Sequence, residues 1–490
     1  MSEHSPLFEQ FKKDLEIEKS GHKTLDFSEL AQEKKSKSWK ELIDYKLKKE
    51  RSDIHLGFGL HFMYQDNLVS GADHFDKYDG PFIPFPPSIL ENLAIAKEWD
   101  VSLTDIIDRA ASMRRLTDIK QLGYLTYPEK DQTERYGNDW GIEKFKHDRF
   151  DHSFLTSVMN LTVLRISQTE GLINCSDKDI LKSFIASTIH DSATVAGGDA
   201  TKKISPEKLD EETLVSMILQ NPEMQEIFKK HDLTKEDEKD IQNIIFNQGP
   251  FGKLLDLVDK FSYTARDTQQ VTPVLERGLY LTPEGKEILS LVREDPNIYD
   301  IMFDLRLDET KGLYCTNPDK LNNVLKIRAL MHAFIYLNPY SQMAEAAVIH
   351  PVLKKIMDSR DSKLSVETLL NQSDNYFEKV LCETLGNKDI YPDAIKSIRE
   401  TIKEKDIQVD IFPDYNSAEI AMAEIENQGR FICNIVNKTK GFKTATDTLV
   451  ELNNKLIPFK ELYPDKNKEI QEIADRVKTV RVYHSKKPII

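Results

Sequence analysis

Residues 176–191 read SDKDILKSFIASTIHD, and this stretch decides the fold class. Its apolar residues recur every three or four positions, which is the spacing of the buried face of an α-helix. Ser176 is a preferred N-cap residue, and the acidic residues that follow it suit the positive N-terminal end of a helix. We therefore predict a helix that ends at the pair His190 and Asp191. Its buried face is formed by Ile180, Leu181, Phe184, Ile185 and Ile189.

The same helical spacing extends on both sides of this stretch. Most of the chain from 90 to about 400 has it, for example KLNNVLKIRALMHAFIYL at 320–337. Short β-type runs follow at 407–436, and residues 469–484, EIQEIADRVKTVRVYH, are typical of a helix that leads into a strand. We therefore predict a mainly α protein, with a helical core and a smaller α+β lobe at the C-terminus.

The length of 490 residues favours more than one structural unit. Residues 78–88, YDGPFIPFPPS, are rich in proline and interrupt any regular element. We therefore predict an N-terminal extension over 1–90, a helical core over 91–400 and the C-terminal lobe over 401–490.

The net charge of -15 disfavours binding to a nucleic-acid backbone, although a local cluster of cations could still bind a small anion. The four cysteines, at 175, 315, 382 and 433, are scattered and have neither metal-ligand nor disulfide-framework spacing. The N-terminus is polar, and no apolar run approaches the length of a membrane span. These features predict a cytoplasmic protein without a membrane segment.

Three separate segments carry residues that could bind a metal ion. His190 and Asp191 end the predicted helix, His152 lies in RFDH at 149–152, and Asp259 lies in LLDLVDKFSYTARD at 254–267. Imidazole nitrogen and carboxylate oxygen suit several divalent metals and select none of them sharply. On a helix, Asp259 shares one face with Tyr263 and Arg266, which suits a pocket for metal and phosphate. A helix end beside a loop and a solvated Asp–Arg face are the alternatives.

These segments resemble, in order, the motifs of the HD-domain deoxynucleoside-triphosphate triphosphohydrolases. The resembling segments are RRLTDIKQLGYLTYP at 114–128, RFDHS at 149–153, IHD at 189–191, VDKFSYTARD at 258–267, YDIMFDLR at 299–306 and, more weakly, DNYFEKVL at 374–381. The resemblance covers about 105–400, and VDKFSYTARD is its most specific part. It implies an HD-domain helical core that holds a divalent metal ion, whether Mn, Mg, Fe or Zn.

The resemblance also implies roles for individual residues. His152, His190, Asp191 and Asp259 would be the metal ligands. The substrate-binding residues would be Arg149 and Lys260 at the phosphates, Tyr263 with Arg266 on the same face, and Gln121 and Leu122 near the base and sugar. In the family a metal-activated water attacks the α-phosphate, and the products are a nucleoside and inorganic triphosphate.

The segment after the His-Asp pair departs from the family. It reads HDSATVAGGDATKKI at 190–204, and Thr194 and Asp199 stand where the family has histidines that handle protons. Asp210 and Glu211 stand near the position of a later His-Glu pair. A carboxylic acid could replace histidine as a proton donor only if its pKa were raised. Asp199, Asp210 and Glu211 are therefore the candidate catalytic residues; a plain surface loop is the alternative.

Three functions remain open at this point. The first is a metal-dependent hydrolase that converts a dNTP to deoxynucleoside and triphosphate. The second is an HD-type phosphohydrolase that releases phosphate from another nucleotide or phosphoester, and the third is a nucleotide-binding regulator without turnover. A P-loop nucleotide site is excluded because no GxxxxGK[ST] motif is present. The resemblance also implies a homo-oligomer.

Overall fold

The computed structural model describes residues 115–125 except 117, 147–276, 282–358, 364–386, 394–436 and 442–490, with a few positions between 32 and 41. The predicted Pro-rich break at 78–88 lies outside the described residues, and so does most of the predicted extension over 1–90.

The described residues between 149 and 294 are helical wherever they are regular. The helices are α1 (Arg149–Thr169), α2 (Asp177–Ile189), α3 (Gly198–Lys202), α4 (Pro206–Leu209), α5 (Glu211–Leu219), α6 (Pro222–Lys230), α7 (Lys235–Ile245), α8 (Gly249–Glu276) and α9 (Pro283–Glu294). Helix α1 packs against both α2 and α8, so these three form the centre of the helical core.

Helix α2 has the boundaries that its sequence predicts. Ser176 is the N-cap, and it forms a reciprocal capping box with Asp179. All five predicted core residues of α2 are buried, and His190 is the C-cap. The local signals at both ends and the apolar spacing therefore confirm the predicted helix.

A short hairpin interrupts the helices in a segment for which the sequence indicates no strands. A 3₁₀ helix (Ile298–Phe303) leads into strands β1 (Leu305–Asp308) and β2 (Gly312–Cys315). The Asp308 carboxylate accepts hydrogen bonds from the backbone N–H groups of Thr310 and Lys311, which stabilises the turn. The chain then continues through α10 (Pro318–Met331), a π-helix (His332–Tyr336), a second π-helix (Ala344–Ile349), α11 (His350–Asp358), α12 (Val366–Asn371), α13 (Asp374–Thr384) and α14 (Ala394–Lys405).

The C-terminal part has the α+β composition that its sequence predicts. Its elements are β3 (Gln408–Phe412), α15 (Tyr415–Asn427), β4 (Phe431–Val436), β5 (Leu449–Leu452), β6 (Lys455–Pro458), α16 (Phe459–Leu462), α17 (Pro464–Arg476) and β7 (Val480–Ser485). Strand β7 lies between β3 and β4 and is antiparallel to both. The predicted strand runs within 407–436 and the predicted helix–strand at 469–484 are confirmed.

The C-terminal strands also join the helical part. Strand β5 pairs in parallel with β2, which gives a four-stranded sheet in the order β1-β2-β5-β6. Val450, Phe459 and Tyr483 belong to the same buried apolar cluster as the core residues of α1 and α2. One hydrophobic core therefore runs through most of the described chain.

Three further points concern the cysteines, membrane-spanning helices and the fold class. All four cysteines are free, as their scattered positions predict. Among the described residues, none of the helices is both long enough and apolar enough to cross a bilayer. The prediction of a mainly α protein with a small α+β lobe is confirmed.

Candidate metal centre

Two histidines meet where α1 packs against α2. His152 lies in the first turn of α1, and His190 caps the C-terminal end of α2. Their Nε2 atoms are 3.3 Å apart. Oδ1 of Asp259, from α8, lies 2.9 Å from Nε2 of His152 and 3.3 Å from Nε2 of His190. The three central helices therefore supply one group each.

Asp191 completes the cluster from the loop after α2. Its carboxylate oxygens lie 3.6 Å from Nε2 of His152 and 3.8 Å from Nε2 of His190. The ligand atoms of His152, His190 and Asp191 all lie within 4.8 Å of one another, and they are buried or nearly so. Atoms that surround one ion at about 2.0–2.2 Å are about 3 Å apart. These residues could therefore hold a metal ion.

The outer hydrogen bonds of the two imidazoles favour the protonation state that a metal ligand needs. Nδ1 of His190 lies 2.8 Å from the backbone carbonyl of Ser187, so Nδ1 carries the proton and donates it. Nδ1 of His152 lies 3.2 Å from Oγ of Ser262, whose hydroxyl donates to the carbonyl of Asp259. With Nδ1 protonated, each Nε2 faces the centre, where it can bind either a metal ion or, without one, a proton.

The charges of the cluster also attract a cation. Burial alone would lower the pKa of His190, but the carboxylates of Asp191 and Asp259 outweigh burial and raise that pKa to about 9. At Asp191 burial alone would raise the pKa, but the Arg149 guanidinium outweighs burial and lowers that pKa to about 2. The pKa of Asp259 also lies well below its usual range, since both imidazoles hydrogen-bond to it. Two ionised carboxylates therefore face the centre at neutral pH.

Arg149 connects the metal centre to the loop that follows α2. It is the first residue of α1 and is buried; Nη1 donates to Asp191 at 3.0 Å and Nη2 to Asp199 at 2.9 Å. Asp199 is half exposed. Although burial opposes it, the pKa of Asp199 is lowered, chiefly by Arg149. Asp199 is therefore ionised, and it fixes the orientation of the Arg149 guanidinium.

Asp210 and Glu211 lie on the other side of the same loop. Glu211 begins α5, and its carboxylate accepts hydrogen bonds from the Thr194 hydroxyl at 3.3 Å and from Lys202. Burial raises the pKa of Glu211, and this effect outweighs the nearby cations Arg149 and Lys202. Asp210 lies 3.5 Å from Lys202. The surroundings of Glu211 therefore favour its protonated form, whereas those of Asp199 favour the ionised form.

Three further candidates lie on α8 and have partners of their own. Lys260 pairs with Asp256, one turn earlier in the helix. Arg266 is buried and donates to Gln269 at 3.2 Å. The Tyr263 ring is centred 6.3 Å from the His152 ring. Burial raises the pKa of Tyr263 to about 12, so it is a neutral phenol beside the metal ligands.

Gln121 and Leu122 are buried near the start of α1. The backbone N–H of Gln121 donates to the carbonyl of His147 at 3.1 Å, and the N–H of Arg149 donates to the carbonyl of Ile119 at 2.8 Å. These two hydrogen bonds pair the segment that contains Gln121 in antiparallel fashion with the segment that leads into Arg149. Oε1 of Gln121 is buried and has no hydrogen-bond partner among the described residues.

Three residues near the cluster are not among the candidates that the sequence indicates, although His147 stands out there as part of a second His-Asp pair. Arg328, near the end of α10, donates from Nε to the Tyr263 hydroxyl at 3.0 Å. The His332 ring stacks on the Phe442 ring at 4.2 Å, and Nε2 of His332 lies 3.4 Å from the Tyr263 hydroxyl. Nε2 of His147 lies 2.5 Å from the Asp267 carboxylate. The spacing of 320–337 indicates only a buried helix, although a charged residue on that buried face could have marked Arg328.

Comparison with known proteins finds solved structures that have a similar fold. No family model matches the sequence, and no curated protein matches it either. Among solved structures, a phosphohydrolase from Bacteroides thetaiotaomicron is similar at 14% identity, with a TM-score of 0.52 over 78% of this chain and 94% of that chain. A hypothetical protein from Aquifex aeolicus is similar at 15% identity, with a TM-score of 0.51 over 78% of this chain and 91% of that chain. This chain therefore shares its fold with these proteins.

Proposed function

We propose that this protein is a metal-dependent nucleotide phosphohydrolase, and that it hydrolyses dNTPs to deoxynucleoside and triphosphate. The observation that carries the proposal is the cluster of His152, His190 and Asp191, with Asp259 against both imidazoles and Arg149 bound to Asp191. The fold shared with a phosphohydrolase supports the reaction class. The ordered motifs that resemble the HD-domain triphosphohydrolases support the substrate class.

The residues of the site would have separate roles in binding the metal ion and the phosphates. A divalent cation on the four ligands would supply Lewis-acid activation of the phosphate and of a water molecule. Arg149 would offset negative charge that develops on the phosphate, and its guanidinium is already oriented by hydrogen bonds to Asp191 and Asp199. Tyr263 would donate its phenolic hydrogen bond near the phosphates, and Lys260 would add a positive charge once it leaves Asp256.

Glu211 is our candidate for the proton donor to the leaving group. In the proposed reaction a water oxygen bonds to the α-phosphorus and releases a proton to solvent, the bond from that phosphorus to the sugar oxygen breaks, and the sugar oxygen takes up the proton that Glu211 donates. Asp199 suits this step poorly because Arg149 keeps it ionised. Glu211 suits it better because burial raises its pKa. Gln121 and Leu122 would contact the base and sugar.

One observation favours the second candidate, a phosphohydrolase for a substrate with fewer phosphates. In the described part of the chain, the lysines around the cluster have carboxylate partners. Lys202 pairs with Glu211, Lys203 with Glu345 at 2.9 Å, and Lys260 with Asp256. A triphosphate would have to displace several of these pairs, whereas a monophosphate at the metal and Arg149 would leave the three lysine pairs intact.

The test measures which product is released. Purified protein is incubated with Mn²⁺, Mg²⁺, Fe²⁺ or Zn²⁺ and with dNTPs, NTPs and monophosphates, and the products are resolved by ³¹P NMR. Inorganic triphosphate with free deoxynucleoside is the expected result. Release of single phosphates would replace this proposal by the second candidate, and tight nucleotide binding without turnover would identify a regulator.

A matched pair of variants on α8 ties turnover to the metal centre. Asp259→Asn removes a carboxylate that faces both imidazoles, so we expect metal content and turnover to fall together by about 100-fold or more. Asp256→Asn removes a carboxylate one turn earlier that contacts Lys260 instead, so metal content should stay at the wild-type level. Equal metal content in the two variants would contradict the assignment of Asp259.

A further inference from the structure

One buried carboxylate holds two separate segments that flank the metal centre. Asp374 is the first residue of α13 and is only 1% exposed. Its Oδ1 accepts a hydrogen bond from the backbone N–H of Gly197 at 2.8 Å, and its Oδ2 accepts one from the backbone N–H of Lys120 at 3.0 Å. Its own backbone N–H donates to the carbonyl of Asp118 at 3.1 Å. Asp374 therefore joins the loop after α2 to the segment 118–124.

Arg115 strengthens the same junction from the other side. Its Nη2 donates to the backbone carbonyl of Ser192 at 3.1 Å and to that of Thr194, and its Nη1 donates to the carbonyl of Gln372 at 3.1 Å. Arg115 thus satisfies carbonyls of the loop, while Asp374 satisfies an N–H of the same loop. We call Arg115 and Asp374 the loop clamp.

The rest of α13 continues the junction along one helical face. Glu378, one turn after Asp374, accepts hydrogen bonds from Lys120 Nζ at 2.6 Å and from the Tyr124 hydroxyl at 3.0 Å. The Phe377 ring is centred 5.6 Å from the Tyr124 ring, and it also lies against Gly197. Residues three and four apart share a helix face, so α13 presents one surface to both segments.

Both clamped segments carry residues of the candidate site. The loop after α2 begins with Asp191 and leads into α3, whose second residue is Asp199, and these are the two carboxylates that hold Arg149. The segment 118–124 carries Gln121, which we place at the substrate. The clamp thus fixes the distance between the metal and phosphate side of the site and its base and sugar side, although neither clamp residue belongs to the metal cluster.

We propose that Asp374 is a positioning residue for the hydrolysis, because it locks the loop 191–197 that leads into α3 against the segment 118–124. The inference rests on the proposed function. A carboxylate is needed because only its two oxygens can both accept: in Asp374→Asn the amide NH₂ would face one of the two backbone N–H donors. The variant keeps the size of the side chain but loses one half of the junction.

The experiment compares Asp374→Asn with Asp237→Asn in the full-length chain. Asp237 is also a buried carboxylate that accepts a backbone N–H, from Thr234 at 2.7 Å, but it lies in α7 beside the start of α2, at the end remote from His190. Three quantities are measured: Tm, amide hydrogen exchange at Gly197 and Lys120, and kcat and KM at saturating Mn²⁺. Asp237→Asn should lower Tm and leave the exchange at Gly197 and kcat unchanged.

For Asp374→Asn we expect faster exchange at Gly197 or Lys120 and a fall in kcat of about tenfold or more, beyond any change that Asp237→Asn causes. Wild-type kcat in the folded variant would overturn the proposal. If Asp374→Asn does not fold, Arg115→Lys carries the test, since an ammonium cannot hold three carbonyls in the plane of a guanidinium. A wild-type protein without turnover would instead contradict the proposed function, and unchanged amide exchange would then still contradict the clamp.

Discussion

At the scale of single residues, the candidate site depends on which nitrogen of each histidine carries the proton. Ser262 matters here although it is not a ligand. Its hydroxyl lies 3.2 Å from Nδ1 of His152 and donates to the carbonyl of Asp259, so it connects two of the four proposed ligands. Partners of this kind fix the orientation of a ligating imidazole and increase its basicity.

We predict that Ser262→Ala weakens Mn²⁺ binding by about tenfold to 100-fold without unfolding the protein, because His152 loses the acceptor for its Nδ1 proton. The control is Thr264→Val. Thr264 is equally buried in α8, and its hydroxyl donates to the carbonyl of Lys260 within its own helix. Isothermal titration calorimetry with Mn²⁺ measures both affinities, and equal affinities would refute the role of Ser262.

The sequence could indicate the residues of the cluster but not the partners of the surrounding cations. His152, His190, Asp191 and Asp259 could be predicted because ligand-type residues stand in motifs of fixed order. The pair between Lys260 and Asp256 has the i, i+4 spacing that helices favour, so it was predictable in principle. The contact between Arg328 and Tyr263 joins residues 65 positions apart, and only the packing of α10 on α8 creates it.

At the scale of elements, the turn before α3 determines where Asp199 lies. Gly197 has a φ of +83°, and a Cβ added there would lie 2.8 Å from the Phe377 ring and closer still to the Thr201 hydroxyl. Gly171 has a φ of +70°, but a Cβ there would have no atom within 4 Å among the described residues. The two glycines therefore share backbone strain and differ in steric contact.

We predict that Gly171→Ala lowers the free energy of unfolding by about 1 kcal/mol, through the left-handed backbone alone. Gly197→Ala should lower it by about 3 kcal/mol, because overpacking against Phe377 adds to the same strain. Urea titration measures both values. A Gly197→Ala variant as stable as Gly171→Ala would contradict the close approach of α13 to this turn.

The cap of α7 gives a prediction about pH. Asp237 accepts hydrogen bonds from the N–H and hydroxyl of Thr234, and its carboxylate lies 2.7 Å from Lys178. These contacts outweigh burial and lower the pKa of Asp237 below its usual range. A lowered pKa means that the stabilisation is complete above the unfolded-state pKa of about 4 and is lost as the pH falls below it.

Asp237→Asn should therefore lower the free energy of unfolding by about 1 kcal/mol at pH 7 and by less as the pH falls below about 4. Chemical denaturation of the variant and the wild type at pH 7, 4 and 3 measures the difference. A difference that is constant over this range would show that the ionised carboxylate contributes nothing to the cap.

The sequence predicts helix α2 well and does not indicate strands β1 and β2. Helix α2 has an N-cap, acidic residues in its first turn and a continuous apolar face, and all of these signals agree. Strands β1 and β2 have four residues each, which is too short to establish an alternating pattern. Strand β2 also pairs with β5, which lies more than 130 residues later in the chain, and local sequence does not indicate so distant a partner.

At the scale of the whole molecule, the C-terminal elements and the helical core support each other. Arg481 in β7 is fully buried and donates to the Gln342 side chain at 2.5 Å and to the backbone carbonyl of Leu337. The Tyr483 hydroxyl donates to the carbonyl of Pro339 at 2.9 Å. The chain following 401 therefore anchors the segment between the two π-helices.

We predict one cooperative thermal transition for the described core and the C-terminal lobe together, since separating them would expose shared apolar surface and remove Arg481 from its acceptors Gln342 and Leu337. Differential scanning calorimetry checks this, with near-UV circular dichroism as a second probe. Two resolved transitions would instead support independent folding of the lobe predicted over 401–490. The predicted homo-oligomer and the predicted cytoplasmic location stay predictions, and light scattering tests the first.

The most direct test of the metal centre is anomalous diffraction at the manganese edge, from crystals grown with Mn²⁺. We predict a single strong peak bonded at about 2.0–2.2 Å to Nε2 of His152, Nε2 of His190 and carboxylate oxygens of Asp191 and Asp259. A peak held by other residues, or no peak within bonding distance of these four side chains at saturating Mn²⁺, would contradict the assignment of the centre and the hydrolase proposed on it.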